Sequence, residues 1–164
     1  MEITLKDNAF KIKSKTGTLY SKENGVVIES ADGNTSKELV GPGEYEVSGI
    51  SVIGVQAEES NIFVYEVDGL RICNLGASTK KIQDNKLSLV GDIDILLLPI
   101  GPLSLEMSQQ IESYYIIPFG DTNDPNLEKY LKESGFTVSR TPKFSLKKEE
   151  IVEDQSTEIV LLEK

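Results

Sequence analysis

Residues 93–100, Ile-Asp-Ile-Leu-Leu-Leu-Pro-Ile, are nearly continuous in aliphatic side chains. A strand with one wet face alternates polar and apolar residues. A run without alternation has to be covered on both faces. This requirement excludes a simple two-layer arrangement around that strand. Upstream, residues 61–67 and 70–75 are two apolar runs that meet at Asp68-Gly69. Asp-Gly between apolar runs is a strong hairpin signal, because a type I′ turn needs positive φ at both central residues. The 61–100 block therefore predicts a hairpin, a polar interval and then a strand buried inside the molecule.

The chain before this block reads as a meander of short strands. Residues 9–13 alternate apolar and polar side chains, and Thr16-Gly17 turns the chain into 18–21. Asn24-Gly25 and Asp32-Gly33-Asn34 are two further hairpin signals, leading into 26–29 and 39–40. Gly41-Pro42-Gly43 predicts a sharp reversal, since proline fixes one φ and glycine frees its neighbours. Residues 44–47 and 50–55 then pair around Ser48-Gly49. After Gly101-Pro102 the pattern turns helical. Leu105, Met107, Ile111 and Tyr114 recur at roughly helical spacing. Residues 115–119 form a strand stopped by Gly120. Asp124-Pro125 opens the clearest helix, with Asp124 as cap, Leu127, Tyr130 and Leu131 as its apolar stripe, and Gly135 as its end. Residues 136–139 and 158–162 read as strands. There is no internal repeat, and the 164 residues suit one domain, 1–164.

Charge and residue usage narrow the chemistry. The formal net charge is −10. That disfavours nucleic acid and anionic membranes, both of which call for lysine and arginine. No apolar run approaches the roughly 20 residues that span a bilayer. The first residues lack a signal-peptide layout, and the single cysteine cannot form an internal disulfide, so a cytoplasmic location is expected. The chain has no histidine. This removes the Ser-His-Asp and Cys-His nucleophile systems and the commonest zinc ligand.

Three segments carry a family resemblance. They are Gly41-Pro42-Gly43-Glu44-Tyr45-Glu46-Val47, Val67-Asp68-Gly69-Leu70-Arg71-Ile72-Cys73, and Gly91-Asp92-Ile93-Asp94-Ile95-Leu96-Leu97-Leu98-Pro99-Ile100-Gly101. Their combination and order resemble a branch of predicted Zn-dependent hydrolases in the metallo-β-lactamase superfamily. That branch reads G-P-G-E-Y-E-V, then D-G-x-R-I-C-H-L-G-D-L-G-H, then D-V-D-x-L-L-I-P-V-G. The chain's opening, Ile116-Ile117-Pro118 and the closing Thr157–Glu163 segment are similar as well. The resemblance implies an α+β fold, the αββα four-layer sandwich, shortened here in the N-terminal half.

The resemblance also implies where a metal site would lie, and that its ligands are missing. The family's S-H-x-H-x-D-H motif should precede the G-P-G-E-Y-E-V element, but the corresponding interval is shortened and contains nothing like it. Asn74 stands where the family has the histidine after cysteine. Ala77 stands at the bridging aspartate, Lys80 at the next histidine, and Gly120 at the histidine of I-P-x-H. Alanine and glycine offer no donor, lysine repels a divalent cation, and asparagine binds zinc weakly. Zinc is therefore not expected, and Asn74, Ala77, Lys80 and Gly120 are vestigial positions expected to remain neighbours. Lys80 is expected to neutralise Asp121, and both are candidate ligand contacts.

Other groups have ordinary explanations. Cys73 lies in an apolar strand with no histidine to activate it and reads as an inert buried thiol. Asp92 and Asp94 suit turn and strand-end roles. Glu44 and Glu46 share one face of a solvated edge. Asp121, Asn123 and Asp124 form an oxygen-rich loop that helix capping largely explains. Lys80-Lys81 reads as solvated, and Gly76 alone makes no phosphate cradle. Three functions follow. The first is a non-catalytic binding or interaction protein, a pseudoenzyme on a hydrolase scaffold. The second is a divergent metal-dependent hydrolase with a relocated carboxylate-based site. The third is a structural, self-assembling subunit. A protein partner or a second copy in a two-fold dimer is the expected assembly, because a shortened half leaves sheet edges exposed.

Overall fold

The computed structural model describes residues 1–163. The chain first lays down an antiparallel meander, β1 (Glu2–Lys6), β2 (Ala9–Lys13), β3 (Gly17–Lys22), β4 (Gly25–Ser30) and β5 (Ser36–Val40). Gly41-Pro42 then carries it into a second meander: β6 (Gly43–Val47), β7 (Ile50–Gln56), β8 (Asn61–Val67) and β9 (Leu70–Asn74). From there helices alternate with strands. They are α1 (Asp84–Val90), β10 (Ile95–Pro99), α2 (Ser104–Gln110), β11 (Tyr115–Phe119), α3 (Pro125–Ser134) and β12 (Thr137–Thr141). Two late strands complete the sheets. β13 (Phe144–Ser145) returns to pair with β1, and β14 (Glu158–Leu162) inserts between β11 and β12.

The result is a six-stranded sheet, β13-β1-β2-β3-β4-β5, and an eight-stranded sheet, β12-β14-β11-β10-β9-β8-β7-β6. Their facing surfaces share one apolar core, with Ile3, Phe10, Ile12, Leu19 and Ile28 on one side and Val52, Tyr65, Ile72, Leu97 and Ile117 on the other. The opposite face of the eight-stranded sheet carries a second core. Val64, Cys73, Leu96 and Ile116 there meet Val90, Met107 and Tyr130 from the three helices. β10 lies between the two cores, with Leu96 in one and Leu97 in the other. Its unbroken aliphatic run has that cause.

This is the expected α+β sandwich. Its shortening shows as a missing helical layer: among the described residues no α-helix precedes Asp84, so none covers the six-stranded sheet. The reason is in the alternation. Thr4, Lys11, Tyr20, Val27 and Glu38 lie side by side across β1 to β5, with Lys11 Nζ 5.8 Å from the centre of the Tyr20 ring. A face of that composition is stable against water.

Local signals fared well where a turn decides. Asp68 and Gly69 have φ of 52° and 78° and join Val67 to Leu70. Asp124 caps α3, its carboxylate accepting from Asn126 N, and Gly135 ends the helix at φ 70°. Two expectations shift, and one hairpin is new. Asn24-Gly25 is not the turn: Lys22 pairs with Gly25, so Glu23-Asn24 turn the chain. Gly25 is needed for a different reason, since a Cβ there would sit 2.1 Å from the Leu39 carbonyl oxygen on the neighbouring strand. Tyr114 lies beyond α2, which ends at Gln110. The Asp7-Asn8 hairpin, with φ of 51° and 63°, was not anticipated, although both residue types tolerate the left-handed region.

A candidate ligand-binding cleft at the ends of the parallel strands

β9, β10 and β11 run parallel, so their C-terminal ends open at one edge of the eight-stranded sheet. Crevices at such ends are where α/β sheets place ligands. Here the loops after the three strands border a cleft of about 590 Å³. Two hairpins of the six-stranded sheet form the facing rim, one through Asp7 and Asn8 and the other through Lys22 and Glu23. The floor is largely apolar, with Ala77, Ile100, Leu103, Met107 and Phe119 among its residues.

On the side formed by the parallel-strand loops, the side chains of Asn74, Ser78, Thr79 and Ser104 are all hydrogen-bonded within the protein. Asn74 is only 6% exposed. Its Oδ1 accepts from Gly76 N at 2.9 Å and its Nδ2 donates to the Tyr65 hydroxyl at 3.1 Å. This holds Gly76 in its left-handed turn, φ 60°. Burial pushes the Tyr65 phenol well above the usual range, so it stays protonated. Ser104 Oγ accepts from Gly101 N at 2.8 Å and donates to Pro99 O at 2.9 Å. Ser78 donates to Lys80 O, Ser21 accepts from Phe10 N, and Thr79 donates through both its amide and its hydroxyl to Glu59.

Of the four expected vestigial positions, Asn74, Ala77 and Gly120 line this one cleft. Lys80 does not. It faces a neighbouring crevice and pairs with Glu58 at 3.5 Å and Glu59 at 3.8 Å. The expected Lys80–Asp121 pair is corrected accordingly: the 57–60 loop brings two carboxylates nearer to the ammonium. Asp121 Oδ1 instead accepts from Asn123 N at 2.9 Å, a local turn bond. Thr79 and Glu59 fasten this side of the cleft, and hydrogen bonds from Thr79 hold the Glu59 carboxyl below its usual range.

The remaining candidates sit elsewhere. Cys73 is buried, and burial pushes its thiol up to about 12. Asp94 is buried at the entry of β10, at the opposite end of that strand from the cleft. It accepts from Arg71 N at 2.8 Å and from Lys148 Nζ at 3.0 Å. Among the described residues, no three or more His, Cys, Asp or Glu side chains group as metal ligands would. The sequence reading missed the contribution of Asp7, Asn8, Lys22 and Glu23. Asp7-Asn8 carries a turn signal, but nothing local says that the turn will face the loops of the other sheet.

Comparison with known proteins bears on the whole arrangement. Residues 20–119 match the model of the beta-lactamase superfamily domain. Among curated proteins none matches the chain significantly. A crystal structure from Thermotoga maritima, of a protein provisionally assigned as a Zn-dependent hydrolase of the metallo-beta-lactamase superfamily, superposes with a TM-score of 0.67. It covers 99% of this chain and 98% of that one at 18% identity, a likeness of fold. A provisionally assigned metal-dependent hydrolase from Parabacteroides distasonis is similar at a TM-score of 0.45 and 14% identity, covering 77% of this chain and 94% of that one.

Proposed function

Since the chain belongs to the beta-lactamase superfamily, as the match over residues 20–119 shows, we propose that it acts by binding a ligand or partner and not by zinc-dependent hydrolysis. The observation that carries this reading is the state of the cleft's donors. A catalytic zinc takes three protein ligands and keeps an open position for water. Here Ala77 has no donor atom and Gly120 has no side chain. Asn74 has both amide atoms engaged, with Tyr65 and with Gly76. Lys80 is turned toward Glu58 and Glu59. The residues present do not fit zinc.

The backbone supports the same reading. Gly120 has φ 133°, a conformation that side chains rarely adopt. A histidine at this position would need the loop rebuilt. What remains is a cleft with an apolar floor and a polar rim that includes Asn8, Lys22 and Glu23, the common make-up of small-molecule sites. The absence of nucleic-acid binding, on the charge of −10, and a cytoplasmic location, on the single cysteine, are part of the same proposal.

Elemental analysis of protein expressed with supplemental zinc and passed through gel filtration tests it. No stoichiometric zinc is expected, because a catalytic zinc needs three protein ligands and the cleft supplies none. About one zinc per chain, together with esterase or phosphodiesterase turnover, would overturn it.

A further inference from the structure

Among the described residues there are four edge strands, β13 and β5 in one sheet and β12 and β6 in the other. Edges left bare pair with other chains unless charge, brevity or a covering element prevents it. β13 is two residues long. β5 carries Lys37 and Glu38, and β6 carries Glu44 and Glu46, all exposed. β12 differs. Its sequence, Thr-Val-Ser-Arg-Thr, is β-branched at three of five positions and has no carboxylate. Val138 on it and Phe136 just before it are each 37% exposed. In a chain of net charge −10, this edge is long enough to pair and brings no carboxylate of its own against a second copy.

We propose that β12 is a self-association edge, on which two copies pair antiparallel about a two-fold axis at Ser139 and join their eight-stranded sheets. The register follows from the backbone. Thr141 O accepts from Glu163 N at 2.9 Å, so Thr141 directs its polar backbone groups inward, toward β14. Successive residues of a strand point these groups to opposite sides. Thr137, Ser139 and Thr141 therefore face inward, while Val138 and Arg140 face out with free N–H and C=O groups. Centring the pair on Ser139 puts Val138 opposite Arg140 of the second copy, twice. Each such pair exchanges two hydrogen bonds. Centring on Arg140 would set the two guanidinium groups against each other, which is unfavourable.

Side chains agree with that register. Val138 is in register with Ile159 and Arg140 with Leu161, both in the core beneath the helices. Val138 and Arg140 thus share the helix-bearing face of the sheet. The aliphatic stem of Arg140 can lie across Val138 of the second copy while its head stays in water. Arg140 already has a partner of its own in Glu163, at 3.6 Å, which moderates its charge. The proposal is independent of what the cleft binds.

Sedimentation equilibrium on the full chain tests it, from micromolar to millimolar protein and at two salt concentrations. A dimer is expected, tighter at about 0.5 M salt, where repulsion between two acidic copies is screened. Val138→Pro removes an outward N–H without touching the β14 ladder and should give a folded monomer. Val138→Lys sets a lysine against the arginine of the second copy and should raise the dissociation constant at least about tenfold, roughly the effect of one lost hydrogen-bonded or charge contact. Val138→Glu sets a carboxylate against that arginine and should keep the dimer. Circular dichroism melts check that each variant is folded, and Val138→Lys decides if the proline variant is not. A monomer at all concentrations overturns the proposal. So does a dimer indifferent to Val138→Lys, or one that the glutamate and lysine variants break alike.

Discussion

The two sheets share one core but stand in different surroundings. The six-stranded sheet is apolar on one face and wet on the other, and β2 shows the pattern at its simplest: Phe10 and Ile12 buried, Ala9, Lys11 and Lys13 exposed. The eight-stranded sheet has apolar cores on both faces, and the four residues from Ile95 to Leu98 are all fully buried. The difference explains why helices gather on one side only. A helix is held mainly by the apolar face that it buries, and only the eight-stranded sheet offers one. It also explains the placing of the cleft, where the parallel half of the double-covered sheet meets the hairpin turns of the other.

The comparison can be broken by substitution, and the largest effect is expected in β10. Leu97 is fully buried between the sheets. Leu97→Ala should cost about 2–5 kcal/mol in urea denaturation, as cavities in packed cores do. A cost below about 1 kcal/mol would mean that the two sheets pack loosely at this point.

Cys73 reports on the opposite, helix-covered face. Its thiol is raised from 9.0 to about 12 by burial, although Arg71 pulls the other way. Below pH 9 the thiol is protonated in both the folded and the unfolded chain and contributes no slope. Above that, the unfolded chain loses the proton and the folded one keeps it, so stability falls as pH rises. The slope from this group approaches about 1.4 kcal/mol per pH unit until the folded thiol itself ionises. Comparing the pH dependence of stability with that of Cys73→Ala isolates it from Tyr65. Equal slopes in the two proteins would show a solvated thiol.

The smallest effect is expected on the wet face. Val27 lies between Tyr20 and Glu38 on the outer surface of the six-stranded sheet. Val27→Thr keeps the β-branch and should change stability by no more than about 0.5 kcal/mol. A loss as large as that of Leu97→Ala would mean that something covers this face in solution.

Much of this contrast is legible in the sequence alone. Alternation in β2 and its absence in β10 are properties of consecutive residues, and each states how many faces are covered. The cleft was legible in part. Asn74, Ala77 and Gly120 came together because they end neighbouring parallel strands whose positions are set by Ile72, Leu97 and Ile117 in the core. Lys80 did not join them, because its loop meets the 57–60 turn, and Glu58 and Glu59 lie within 4 Å of its ammonium.

By itself the sequence determined what depends on neighbours along the chain: the hairpins at Ser48-Gly49 and Asp68-Gly69, the capped helix from Pro125 to Ser134, the buried strand through Leu97, and the want of any histidine. Tertiary structure alone decided which strands share a sheet, which turns face the cleft and which edge is left bare. β14 shows the reason. It slips between β11 and β12, although β12 leaves the helix that follows β11 and β14 comes only later in the chain. Local turn energies do not encode such a pairing. It is set by which apolar faces find cover when all fourteen strands close on two cores.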